Sequence, residues 1–300
     1  MTEAATGAPV GSAVAPPRGR VRLFLLVAGV ALTLASVLVL LAGPALYRVH
    51  VLALEPATAG IERIAKYVAI AGGVVVAAGL VASAFARSSR GVITGIAGLT
   101  AALFIGFNIY ADESLRASLP PIHDVQTDWS RPVAFSVVTL QSREDAGAAP
   151  IRDDGVLPPT SGHWAGKTFA EAQAGAYDLK PLLVGVPPAK ATVAVEVAAK
   201  RLGWNVMRSS PPDGELEAVH YSRWYGLASD IAVRVTPQGE GSRIDVRSTS
   251  RNPGPDMGAN AQRVTTLLND VAQSLRGQGA PMVQPGDDKK PQDIQSDAPM

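Results

Sequence analysis

LFLLVAGVALTLASVLVLLAGPAL, residues 23–46, contains no Asp, Glu, Lys or Arg, and two further runs repeat the pattern: YVAIAGGVVVAAGLVASAFA at 67–86 and VITGIAGLTAALFIGFNIY at 92–110. At a rise of about 1.5 Å per residue, some 20 apolar residues cross a hydrocarbon core, so each run predicts a membrane-spanning helix. Residues 21–112 then form a three-helix transmembrane anchor whose first expected partner is the lipid bilayer. Residues 113–278 follow as one water-soluble domain. Residues 1–20 and 279–300 are expected to be disordered tails, because they lack the large apolar side chains that offset the cost of ordering.

Flanking charge sets the orientation. Arg18, Arg20 and Arg22 precede the first run and Arg87 and Arg90 lie between the second and third, which assigns both segments to the cytoplasm. The opposite loop has fewer, Arg48, Arg63 and Lys66, while Tyr47, Tyr67 and Tyr110 sit at the ends assigned to the outer interface. An integral protein of a bacterial inner membrane is expected, with a cytoplasmic N-terminus and a periplasmic or extracellular C-terminal domain. A cleaved signal at the first run is the alternative. That run is long for a signal, and Pro44 adjoins the small residues Ala42 and Gly43. The runs are interrupted only by Thr33, Ser36, Ser83, Thr94, Thr100 and Asn108, with no ionisable group at membrane depth, which argues against transport. Gly91 and Gly95, four apart, suit close helix packing.

The remaining composition excludes more than it assigns. There are 27 Lys and Arg against 26 Asp and Glu, a net charge of +1, so no electrostatic pull toward nucleic acid is expected. The chain has no Cys, which removes disulfides, thiolate catalysis and cysteine metal sites. His50, His123, His163 and His220 are too scattered for a local metal pattern. Gly166, Lys167 and Thr168 imitate the end of a phosphate-binding loop, but position 161, where its first glycine belongs, is Ser, and Pro158 and Pro159 stand where a strand is needed. No nucleotide, cofactor or metal is expected. Nor does a GxSxG elbow occur.

Periodicity organises the soluble part. Ala191, Ala194, Val195, Ala198 and Leu202 recur at helical spacing, with Glu196 and Lys200 on the other face and Gly203 as a stop. Four short strands are expected at 204–209, 215–222, 230–236 and 242–248, parted by Gly-containing turns. A last helix follows, capped by Asp256, with a stripe of Val264, Leu267, Leu268, Val271 and Leu275. A strand-like segment at 133–140 precedes a flexible stretch at 143–167. The predicted class is α+β, an antiparallel sheet of four or five strands with two helices on one face.

Alternation puts Ile231, Val233, Val235, Ile244 and Val246 toward the helices. Asp230, Arg234, Arg243, Asp245 and Arg247 then share the opposite face, joined by Glu217 if Leu216 and Ala218 point inward. With Arg251, this face is a candidate for an anionic or polar ligand, since guanidinium is a bidentate donor. The plainer reading, a solvated and ion-paired surface, is favoured. Trp224 and Tyr225 at a hairpin tip are candidates for contact with a partner or the membrane surface, or for covering a sheet edge.

Residues 120–125, reading PPIHDV, with Asp128 and Trp129, Glu217 and Ala218, Asp230 with Val233 and Arg234, and the runs DVRSTSR from Asp245 and DMGANAQR from Asp256, resemble the family catalogued as domain of unknown function 1499. That resemblance covers the soluble part and implies a bacterial envelope protein with no catalytic residue to carry over. The expectation is a membrane-anchored, non-catalytic binding or structural domain, with an envelope protein or a lipid as partner. Two alternatives stand beside it: an extracytoplasmic hydrolase using the Glu217, Asp230 and Asp245 carboxylates, and an accessory subunit of a membrane complex. A concavity lined by those carboxylates would favour the hydrolase.

Overall fold

A computed structural model describes residues 18–153 and 155–281, so the expected tails lie outside the described residues except at their inner ends, 18–20, which are helical rather than disordered, and 279–281. The chain divides into two compact units, residues 1–114 and 115–300.

Three helices carry the apolar runs: α1 (Arg18–Arg48), α2 (Ile61–Phe85), entered through one π-helical turn at Pro56–Gly60, and α3 (Ser89–Ser118). All three are long and apolar enough to cross a membrane. Large side chains such as Phe24, Leu38, Phe85 and Phe104 point away from the unit, as lipid contact requires, and small ones fill its interior. A Cβ on Gly72 would come within 2.6 Å of the Thr33 hydroxyl, and one on Gly91 within 2.5 Å of Ser83, so these glycines set how closely the helices approach. The buried hydroxyls of Thr33 and Ser83 donate back to the carbonyls of Gly29 and Gly79 at 2.9 and 2.7 Å, so both are satisfied within their own helices.

The second unit is the expected α+β domain. Its sheet runs in the order β1-β6-β5-β4-β3, with β3 Asn205–Ser210, β4 Glu215–Tyr221, β5 Ala228–Gln238 and β6 Gly241–Ser250 joined as an antiparallel meander. The sheet reaches six strands because two three-residue strands, β1 (Asp124–Gln126) and β2 (Leu182–Val184), share the outer edge of β6 at its two ends. Helices α6 (Pro188–Arg201) and α7 (Ala259–Gly277) cover one face, where Val195, Leu216, Ile231, Ile244, Leu267 and Leu275 are fully or almost fully buried. Each such side chain is worth about 1.5–3 kcal/mol relative to exposure.

Two expectations for the intervening chain are corrected. The strand-like segment at 133–140 is extended only at its start. Ser136 then caps α4 (Val137–Asp145), accepting the Thr139 amide at 3.3 Å, while Val137 and Val138 stay exposed. The valines that suggested a strand do not join the sheet at β6, whose outer edge β1 and β2 occupy. The stretch expected to be flexible buries Arg143, Ala149, Leu157 and Trp164, so it is packed rather than free. Just after it Thr168 caps α5 (Phe169–Ala176) through a reciprocal pair with Glu171, the local role of the residue that imitated a phosphate loop.

Candidate functional site

β1 decides what happens to the charged face. Pairing Asp124 with Thr249 and Gln126 with Arg247 launches residues 127–153 across the sheet on the side away from α6 and α7. The expected solvated surface is therefore largely covered: Glu217 is 6% exposed, Asp230 and Asp245 0%, Arg247 1%, while Arg234 and Arg251 are half-buried. Burying charge this far is tolerated only when pairing and hydrogen bonds replace water.

The replacement is extensive. Arg247 grips Asp124 bidentately, Nε to Oδ1 at 3.0 Å and Nη2 to Oδ2 at 2.6 Å, and its Nη1 donates to Asp153 at 2.7 Å and the Val133 carbonyl at 3.2 Å. Burial opposes the guanidinium charge, but Asp124 and Asp153 more than offset it and raise the pKa. Asp230 is shared by Arg143 from α4 (2.5 Å) and Arg251 (2.7 Å). Asp245 accepts from Arg243 at 2.9 and 3.0 Å, from Thr127 at 3.1 Å and from Arg234 at 3.4 Å. Arg234 is otherwise spent on the carbonyls of Arg131 and Pro132. Glu217 accepts the Ser136 amide and hydroxyl and the Thr139 hydroxyl at 2.5 Å, so it completes the N-terminus of α4 from the sheet. Asp128 has a pKa brought down to about 2, because its bonds to Ser130 and Arg131 and the nearby Arg243 overcome the opposing effect of burial. Buried without partners in or beside this layer are Gln126 Nε2 and Thr249 Oγ1.

Another polar cluster sits where α7 begins. Gly258, left-handed at φ +78°, lets Asp256 accept the amides of Gly258 and Asn260 at 2.9 and 2.7 Å. Asn260 ties Ser248, Ser250 and the His123 carbonyl together. Arg263 donates to His220 Nδ1 at 3.1 Å; burial and that neighbour lower the His220 pKa. Beside this cluster opens a cleft of about 580 Å³, lined by His123, Pro121, Leu157, His163, Trp164 and Phe169 among others. The His123 ring meets Phe169 edge-on at 5.6 Å, and burial lowers its pKa.

All six residues singled out on the charged face are thus brought into one layer, but as internal partners. Of these six, Glu217 and Arg234 line a recess of about 200 Å³, and neither Asp230 nor Asp245 does. Among the described residues the three carboxylates together line neither this recess nor the cleft beside His123, and no group of His, Asp and Glu suits a metal. Trp224, 61% exposed, and the half-buried Tyr225 lie in the turn between β4 and β5. Sequence reasoning missed Arg143 and Asp153 as partners and the cleft entirely. The alternation of Asp124, Val125 and Gln126 was the one signal that could have placed β1.

Fold and geometry define a class, an α+β domain with a covered ionic layer behind three apolar helices of membrane-crossing length. The model of one family, described as "Protein of unknown function (DUF1499)", matches residues 124–271, so most of the globular domain is similar to that family. No curated protein matches the chain. One solved structure, titled "Crystal structure of Ara h 8.0201", is similar at 13% identity over 31% of this chain and 95% of that one, with a TM-score of 0.20, too low a likeness to bear on the fold.

Proposed function

We propose that this chain is a membrane-anchored envelope protein whose globular domain faces the periplasm or cell exterior and binds a partner there without transforming it. The observation that carries the reading is the separation of chemistry from access: the acidic groups of the sheet are consumed beneath residues 127–153, and no Asp or Glu is found among the described residues lining the open cleft. General acid and base catalysis by a pair of carboxylates, as the hydrolase reading requires, needs both within reach of one substrate, and the cleft presents none among its described residues. The arginine flanks and the tyrosines at the opposite ends support the orientation. Trp224 and Tyr225 offer a contact for a protein or lipid partner.

Alkaline phosphatase and a green fluorescent protein, each fused after residue 300, test the placement. Active phosphatase and a dark fluorophore are expected; the reverse would overturn it. For the chemistry, Glu217→Gln in a deletion strain should restore the envelope phenotype as well as the parent does. A folded variant that fails to do so would return the hydrolase to first place.

A further inference from the structure

We propose that the cleft beside His123 binds a single-chain amphiphile with an anionic head, a long-chain fatty acid being the simplest member. The inference deepens the binding role above and rests on α3 being a membrane span, although not on which side the domain faces.

Four observations converge. Its volume, about 580 Å³, is within the usual range of small-molecule sites, about 300–1,000 Å³. Leu119, Pro121, Leu157, Trp164 and Phe169 give it an apolar wall suited to an alkyl chain. Its polar groups are donors or cations: Arg116, His123, His163 and the hydroxyls of Thr160 and Ser161, with no acidic side chain among the described lining residues to repel an anion. Trp164, a wall residue, is 7% exposed, and its indole N–H is buried with no acceptor among the described residues. A buried donor without a partner costs about 1–3 kcal/mol, so an acceptor on a ligand that reached it would add to binding. Chain connectivity supplies the source. Arg116 follows Tyr110, the end of the third apolar run, by six residues, about 9 Å along a helix, so the wall of the cleft is tethered close to where amphiphiles concentrate. A flat aromatic metabolite would fill the same volume but gains nothing from that tether.

The test uses the full chain in nanodiscs of zwitterionic phosphatidylcholine, exposed to palmitic acid carrying a diazirine near the end of its chain. After irradiation and digestion, label is expected on peptides covering residues 156–169 as well as on the spans. Excess oleate and the cleft-filling variant Thr160→Trp should each lower the first label by about tenfold and leave the second unchanged. Thr160 is exposed, so the variant should fold; Val156→Trp, at another exposed lining position, serves if it does not. Label confined to the spans, or label at 156–169 indifferent to both oleate and filling, overturns the proposal. Equal labelling by the corresponding diazirine alcohol overturns the anionic head. Neither result bears on the fusion reporters, so failure here and failure of the orientation are told apart.

Discussion

The two faces of one sheet are buried by opposite means. Toward α6 and α7, Ile231, Val233, Ile244 and Val246 meet helix side chains with no polar atom to satisfy, and any apolar group of the right volume would serve. On the other face, the same strands present Asp230, Arg234, Asp245 and Arg247 to a cover that supplies each with a partner, in turn Arg143, the Pro132 carbonyl, Thr127 and Asp153. Burial by itself therefore says little about how a surface is held. The first face tolerates approximation, whereas the second is specified atom by atom, and a buried charge that loses its partner has nothing to fall back on.

Removing Arg247 should break that comparison most forcefully. Arg247→Ala strands Asp124 and should destabilise the domain by about 3–5 kcal/mol, against about 0.5–1.5 kcal/mol for Ile244→Val three residues away on the apolar face. Denaturant midpoints of the full chain in detergent, followed by tryptophan fluorescence, measure both. An Arg247→Ala cost no larger than that of Ile244→Val would mean that the ionic layer is incidental.

The apolar face was legible because its code is local. Helical spacing of Val264, Leu267, Val271 and Leu275 and strand alternation through Ile231, Val233 and Val235 each fall within a dozen residues. The polar layer is written over long separations, Arg143 to Asp230 across 87 positions and Arg247 to Asp124 across 123, and no periodicity links them. Alternation correctly grouped the charges of β5 and β6. It could not show that a segment with turn-like composition would return to cover them, so the same residues read as a surface. The cleft was hidden for a related reason: its walls come from residues 116–123, 156–169 and 253–255, three stretches with no shared pattern.

Ser136 offers a sharper comparison at lower cost, because it serves both the cover and the sheet. Its hydroxyl accepts from the Thr139 amide and donates to Glu217 at 2.7 Å. Ser136→Ala should lose about 1–2 kcal/mol, the combined worth of a helix cap and a donor to a buried carboxylate. Ser136→Thr, which keeps the hydroxyl, should recover most of it in the same measurement. If Thr is no better than Ala, Glu217 is satisfied by its other donors and α4 needs no cap.

The smallest effects separate the faces by pH. His220, on the helix face, has a folded pKa below the ordinary 6.5, so the unfolded chain binds more protons as pH falls below 6.5 and stability is lost as pH drops through that window. Asp128, in the cover, is held down from 3.8 to about 2; its contribution is fully present above 3.8 and is lost as pH falls from there toward 2. Acid should therefore loosen the helix-face corner first and the cover later. His220→Gln should flatten the stability profile just below pH 6.5, leaving the share that belongs to His123, whose pKa is lowered by its own burial. Asp128→Asn should leave that region untouched and flatten only the range between 3.8 and 2. Should His220→Gln instead flatten the lower range, neither burial nor the Arg263 bond would be lowering the pKa of that imidazole, and the corner where α7 meets β4 would owe its stability to the Asn260 network and to packing.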